Sequence, residues 1–154
     1  MSDTSVAEIA DRLAINDLMY RYARMVDFRQ WELFDQVFTA DATCDYTSSG
    51  GIQGSARAVM DWLDRALAPW PTNLHFVTNV SIEFDQDRSA VRATCYFLGP
   101  LARGTIGSQL AITNAGLYVD RLQRTAEGWR IADRECRMTL MLGSLPEGYE
   151  IPRS

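Results

Sequence analysis

The period of the hydrophobic pattern changes once along this chain, close to residue 75, and that change limits the folds it can adopt. Before it, apolar side chains recur at helical spacing on one face of a long segment: Ile15, Leu18, Met19, Tyr22 and Val26. After it, apolar and polar residues alternate, as they do from Phe76 to Phe84, which is the period of a strand. Helices followed by antiparallel hairpins predict an α+β fold and not a set of parallel βαβ units.

Capping and turn residues predict where the elements begin and end. Ser5 and Glu8 have the spacing of a capping box for a first helix that runs to about Val26, and Ser55 begins a third helix that ends near Ala68. The other predicted elements are a second helix over 30–38, strands over 44–46, 75–84, 90–98, 109–124 and 129–141, and a loop over 99–107. We find no repeat or linker, so we expect one domain over residues 1–154.

Composition and charge exclude several classes of protein. The chain carries a net charge of −5 at pH 7, and its 15 basic residues form no run, which argues against a nucleic-acid partner. No apolar stretch approaches the roughly 18–20 residues that span a bilayer, so we expect no membrane partner. The acidic, polar N-terminus lacks the order of a signal peptide, and the 3 cysteines are an odd set that fits a reducing compartment. We therefore expect a cytoplasmic protein.

The missing motifs narrow the chemistry further. The sequence has no phosphate-binding glycine loop, no GxSxG nucleophile elbow and no cysteine pair at metal-binding spacing. Its 1 histidine excludes a multi-histidine zinc or iron site. We therefore expect no metal and no organic cofactor, and any catalysis should be acid–base work by side chains.

Two residues are candidates for that work. His75 is the only side chain whose type titrates near neutrality, and it lies on the polar face of its strand, although a surface or hydrogen-bonded core histidine would fit the same pattern. Asp27 ends the first helix, where the negative end of the helix dipole disfavours a carboxylate that has no partner. Asp27 and Gln30 also have capping-box form, so Asp27 could instead begin the second helix.

Three further residues could line a ligand cavity. Arg134 shares strand parity with apolar residues, so it must either pair with a structural carboxylate or point into a cavity. Tyr22 and Tyr46 each combine an apolar ring with a hydroxyl and could line the same cavity, or could pack at the edge of the core. The pattern leaves both alternatives open for all three.

Five short motifs, in this order and spacing, resemble SnoaL-like proteins of the nuclear transport factor 2-like superfamily. They are Ile15-Asn16-Asp17-Leu18, Val26-Asp27, Phe38-Thr39-Ala40-Asp41-Ala42, His75-Phe76-Val77-Thr78-Asn79 and Gly128-Trp129-Arg130-Ile131. The resemblance runs from about Ile9 to Met141 and is strongest to the branch that holds scytalone dehydratase and hexachlorocyclohexane dehydrochlorinase. It implies a cone-shaped fold, a cystatin-like roll in which a curved antiparallel sheet and three helices enclose a pocket.

The same resemblance implies a site and a reaction. Asp27 and His75 match the family's aspartate–histidine dyad, Arg134 matches the late-strand arginine of the dehydrochlorinase, and Tyr46 matches a tyrosine that polarises the substrate of the dehydratase. The chain has no counterpart of the dehydratase's second histidine. These matches predict a cofactor-free lyase, dehydratase-like, acting on a small molecule that is hydrophobic, polycyclic or aromatic. An isomerase or cyclase that uses the same dyad is an alternative, as is a non-catalytic small-molecule-binding or assembly module.

Apolar groups on both faces of the sheet predict self-association. Tyr96 and Leu98 share one strand parity, while Cys95 and Phe97 share the other, and three helices cannot cover both faces. We therefore expect a homo-oligomer that uses the outer face of the sheet, and the dehydratase relatives favour a trimer over a dimer.

Overall fold

The structure, a computed structural model, describes residues 5–153. Its helices are α1 (Val6–Asp27), α2 (Phe34–Val37) and α3 (Ala56–Leu67), and a short 3-10 helix (Trp31–Leu33) precedes α2. Its strands are β1 (Phe38–Asp45), β2 (Gln53–Ser55), β3 (Thr72–Asn73), β4 (Phe76–Phe84), β5 (Ala90–Arg103), β6 (Leu110–Thr125) and β7 (Gly128–Leu142). Residues 1–4 and 154 of the predicted domain lie outside the described residues.

The strands form one curved sheet in the order β2-β1-β7-β6-β5-β3, with β4 also paired to β5. Every pairing is antiparallel except that of β1 with β7, which is parallel. The prediction of a wholly antiparallel sheet is therefore wrong at this one junction. A parallel pair needs a long crossover, and the chain between β1 and β7 contains all the other strands, so it supplies one easily.

The helical part of the prediction holds for α1 and α3. Ser5 Oγ accepts from the N–H of Glu8 at 3.2 Å, and Ser55 Oγ accepts from the N–H of Ala58 at 3.3 Å, so both predicted N-caps are confirmed. The apolar face of α1 is buried and packs against β4 and β7. Within the described residues, no helix is both long and apolar enough to cross a membrane.

The predictions were wrong where distant strands pair. Residues 99–103, expected in a loop, extend β5 because they pair with β3 on one side and β6 on the other. The expected helix over 30–38 is shortened to a 3-10 helix and four residues of α2, because Phe38 already pairs with Ile131 of β7. His75 lies between β3 and β4 and not within a strand.

A buried carboxylate ties α1 to the end of the sheet. Asp11 accepts hydrogen bonds from Arg124 at 2.7 Å, from Arg88 at 2.6 Å and from the indole of Trp129 at 3.1 Å. The hydrogen bond from Arg124 is the main cause that lowers the pKa of Asp11 to about 2. These contacts join the N-terminal half of α1 to the hairpin residue Arg88 and to strands β6 and β7.

Candidate active site

At the C-terminal end of α1, Asp27 and His75 are bonded to each other twice. The Nδ1–H of His75 donates to Oδ1 of Asp27 at 2.6 Å, and the backbone N–H of His75 donates to Oδ2 at 2.8 Å. The side chains are 10% and 11% exposed. Both carboxylate oxygens are therefore directed at His75. The 3-10 helix that follows α1 has no side-chain cap, so the alternative role of Asp27 as an N-cap is not the one that the structure shows.

This arrangement fixes the tautomer of the histidine. When Asp27 accepts from Nδ1–H, the neutral imidazole carries its lone pair on Nε2, at the other side of the ring. His75 also lines a cavity of about 70 Å³. The ring therefore has one nitrogen held by the carboxylate, and the other is available as a base.

The cavity lies between the helices and the sheet. Its polar lining comes from Tyr22, Tyr46, Ser49, Asn73, His75, Asn114 and Tyr118. A second, mostly apolar cavity of about 120 Å³ adjoins it and shares six lining residues with it: Ser49, Leu63, Leu67, Leu101, Asn114 and Met138. A larger groove of about 540 Å³ lies on the outer face of the sheet, but charged residues line it and it does not include His75. The inner cavity of about 70 Å³ is therefore the space next to the histidine.

Two tyrosine hydroxyls meet at the wall of the inner cavity. The hydroxyls of Tyr22 and Tyr46 lie 2.5 Å apart, and both side chains are buried. Burial raises the pKa of Tyr22 to about 12 and raises that of Tyr46 well above its usual value, so both keep their protons at neutral pH. Two hydroxyls that share one hydrogen bond leave one O–H free to donate elsewhere. The pair can therefore act as a neutral hydrogen-bond donor.

The structure places Arg134 behind these rings. Its guanidinium makes two hydrogen bonds of 2.7 Å to the carboxylate of Asp120, and both side chains are fully buried. It packs on the rings of Tyr22 and Tyr118, 4.0 and 4.2 Å from their centroids. Burial alone would lower the pKa of Arg134, but the adjacent Asp120 carboxylate raises it well above its usual value. Of the two alternatives for Arg134, the geometry shows the structural carboxylate; Arg134 does not line the inner cavity.

Sequence reasoning missed several residues of the cavity, and two of them, Asn73 and Asn114, have unusual surroundings. Asn73 is only 5% exposed, and among residues 5–153 neither its amide oxygen nor its amide nitrogen has a hydrogen-bond partner. The same is true of the amide oxygen of Asn114. Asn73 lies two residues before His75, and this closeness to the candidate base is the sign of its position that the sequence contains. Nothing in the sequence marks Asn114.

Within residues 5–153 the structure shows neither a cluster of metal-binding side chains nor a cysteine activated as a nucleophile. No group of three or more histidine, cysteine, aspartate or glutamate side chains within 5–153 could hold a metal ion. The cysteines are free and buried, and burial raises the pKa of Cys44, Cys95 and Cys136 to about 12, 11 and 12. Thiols with such pKa values are poor nucleophiles. The Asp27–His75 pair is thus the arrangement best suited to chemistry.

Comparison with known proteins places this site in a family. The sequence profile of the SnoaL-like domain matches residues 7–135, and the chain belongs to that family. An uncharacterized protein of Mycobacterium tuberculosis is 37% identical over 131 residues, which cover 84% of this chain and 86% of the relative. The family is therefore established over most of the chain.

Solved structures have the same fold. A protein of Novosphingobium aromaticivorans proposed to be an aromatic ring hydroxylase superposes with a TM-score of 0.76 and 26% identity, over 88% of this chain and 94% of that one. A second protein of that organism, proposed to be a scytalone dehydratase, gives 0.73 and 19%, over 97% and 99%. Hexachlorocyclohexane dehydrochlorinase LinA-type3 of Novosphingobium barchaimii gives 0.70 and 21%, over 94% and 96%. These likenesses confirm the cone-shaped α+β fold of the nuclear transport factor 2-like superfamily.

Proposed function

We propose that this protein is a lyase that needs no cofactor and eliminates water from a small hydrophobic ring compound, with Asp27 and His75 as its acid–base dyad. The observation that carries the proposal is the 2.6 Å hydrogen bond from Nδ1 of His75 to Asp27 beside a cavity that His75 lines. The family includes neighbours with lyase activity in their names, which supports the reaction class but not the substrate.

The dyad would transfer the proton. Nε2 of His75 removes a proton from the carbon next to the leaving group, and the electron pair of that C–H bond forms the new double bond. The imidazolium that results is stabilised by the Asp27 carboxylate. The C–O bond breaks, and the leaving oxygen takes the proton from the imidazolium to depart as water. His75 is then neutral again, so the cycle closes without another reactant.

The tyrosine pair would act on the oxygen side of the reaction. Because Tyr22 and Tyr46 stay protonated, their free O–H can donate to the oxygen on which negative charge develops. A buried cavity strengthens such a hydrogen bond, because little water competes for it. Arg134 would be a positioning residue, since it holds the ring of Tyr22 without lining the cavity.

The test is turnover of a simple β-hydroxy ketone, the aldol adduct of benzaldehyde and acetone. Its dehydration gives benzylideneacetone, which can be followed by near-ultraviolet absorbance. His75→Ala should fold normally and lose at least about 10²-fold in turnover, because general-base catalysis supplies about that much. Treatment with a chelator should not change wild-type turnover.

A matched control lies on the same helix as the dyad. Asp17→Asn changes an exposed aspartate of α1 and should leave turnover unchanged. Asp27→Asn should slow turnover, because an amide nitrogen facing Nδ1 would favour the wrong tautomer. If His75→Ala dehydrated the probe as fast as the wild type, the dyad would be structural, and a non-catalytic binding module would become the better interpretation.

A further inference from the structure

Asn73 and Asn114 line the inner cavity from two different strands. Asn73 pairs with Leu101 across β3 and β5, and Asn114 pairs with Gly99 across β5 and β6. The two asparagines therefore flank β5 at positions only two residues apart. Both line the same cavity as His75.

These amides carry free hydrogen-bonding capacity where proteins rarely leave it. Buried side-chain polar atoms are almost always hydrogen-bonded, because an unbonded one destabilises the fold. Asn73 has a free acceptor and a free donor among the described residues, so the observation holds whichever way its amide is turned. An asparagine with a structural role would be bonded to the backbone or to a neighbouring side chain. This one is unbonded beside the only histidine of the chain.

Gly99 keeps the space between the two amides open. Gly99 lies on the inner face of β5, between Phe97 and Leu101, whose side chains are buried on that face. The backbone does not require glycine there, because a Cβ would meet only the backbone oxygens of Asn114 and Leu74, each at an ordinary 3.7 Å. The missing side chain therefore leaves room in the cavity for part of a ligand.

We propose that Asn73 and Asn114 bind a hydroxyl group of the ligand, and that they make the cavity selective for ring compounds that carry one. A hydroxyl both donates and accepts, so it can donate to an amide oxygen and accept from the Asn73 nitrogen. A methyl group or a halogen substituent can donate to neither amide oxygen and would leave the amides unpaired. The proposal rests on the proposed function in one respect, namely that the ligand of this cavity is the substrate.

Binding of two small probes tests the proposal without any turnover. Para-cresol and para-xylene differ only in that a hydroxyl replaces a methyl group, and titration calorimetry gives the dissociation constant of each. The wild type should bind para-cresol at least about tenfold more tightly, as expected for two neutral hydrogen bonds. Asn73→Leu should abolish this preference, and Asn114→Leu should reduce it. Asn16→Leu is the matched control, because its amide bonds to the carbonyl of Arg12 outside the cavity, and it should keep the preference.

Thermal unfolding separates this role from a structural one. Asn73→Leu replaces an unbonded amide with an apolar side chain of similar size, so its midpoint should equal or exceed that of the wild type. A lower midpoint would mean that the amide supports the fold, and would overturn the proposal. Equal or undetectable binding of both probes by the wild type, or a preference that survives in Asn73→Leu, would also overturn it. His75→Ala should keep the preference, so this inference and the catalytic proposal can fail separately.

Discussion

Replacing Arg134 tests whether a fully buried ion pair holds the wall of the cavity in place. Arg134→Met leaves the Asp120 carboxylate buried without its two hydrogen bonds. Removing one partner of such a pair costs about 3–5 kcal/mol. Loss of the contacts with the rings of Tyr22 and Tyr118 adds to this by roughly 1 kcal/mol. For a domain of this length each kcal/mol lowers the melting temperature by about 2–4 °C, so a fall of roughly 8–24 °C is expected.

The double variant isolates the pair from its surroundings. In Arg134→Met with Asp120→Leu no charge remains unpaired, and its stability should return to within about 2 kcal/mol of the wild type. Urea unfolding followed by circular dichroism, at low and at high salt, gives the free energies of unfolding of the wild type, Arg134→Met and the double variant. Salt should change the differences between these free energies little, because both side chains are fully buried.

Two results would refute this reasoning. If Arg134→Met unfolded within about 1 kcal/mol of the wild type, the Asp120 carboxylate would have to reach water once Arg134 is gone, and the pair would not be a closed unit. If the double variant were stable but lost its affinity for para-cresol, Arg134 would contact the ligand, as the resemblance to the dehydrochlorinase implies. The structure leads us to expect unchanged affinity with a lower turnover, because Tyr22 loses its support.

Three further predictions concern acid stability, the tyrosine pair and assembly. The hydrogen bond from Arg124 is the main cause that lowers the pKa of Asp11 to about 2. The ionised carboxylate therefore stabilises the fold fully above the pKa of an unfolded aspartate, about 4, and this stabilisation is lost as the pH falls through about 2. Asp11→Asn should therefore lose about 2 kcal/mol in urea unfolding at pH 7 and show a weaker dependence on acid. Tyr22→Phe should lower turnover by roughly 10-fold or more. In an ultraviolet titration the phenolate absorbance of Tyr22 should reach half of its final value only near pH 12. Leu98 is 43% exposed, and Phe76, Ala115 and Leu140 lie level with it, so the four residues form a row across four strands. We expect light scattering to show an oligomer and Leu98→Glu to dissociate it. A monomeric wild type at micromolar concentration would contradict this prediction.

The sequence was most informative where local pattern decides structure. The buried face of α1 and the caps at Ser5 and Ser55 follow from side-chain spacing within single segments, so they were predicted correctly. The extension of β5 through residues 99–103 depends on pairing with β3 and β6, which no local pattern encodes. The parallel pairing of β1 with β7 joins residues about ninety positions apart and was missed for the same reason.

The residues of the candidate site also fall into two groups: those that the sequence indicates, and those whose partners only the folded chain reveals. Asp27 and His75 could be proposed because each is unusual where it stands: a carboxylate at the end of a helix, and the only histidine. Asp120 could not be identified as the partner of Arg134 until the register of β6 and β7 placed them opposite each other. Asn73 and Asn114 matter because of the hydrogen bonds they lack, which only a folded chain can show.

Stability alone does not account for the shape of the dyad. A carboxylate at the C-terminal end of α1 would be satisfied by the backbone N–H of His75, which already bonds Oδ2 at 2.8 Å and joins the helix to the sheet. The second hydrogen bond, from Nδ1 to Oδ1, orients the ring and selects its tautomer. A purely structural contact would be equally well made by an asparagine or glutamine in place of the histidine. What the imidazole adds is a second nitrogen, and the cavity that it lines is also lined by the tyrosine pair and by Asn73, whose amide atoms have no hydrogen-bond partner among residues 5–153. An elimination reaction requires a base and a hydrogen-bond donor, and under our proposal His75 and the tyrosine pair would supply both at one small cavity.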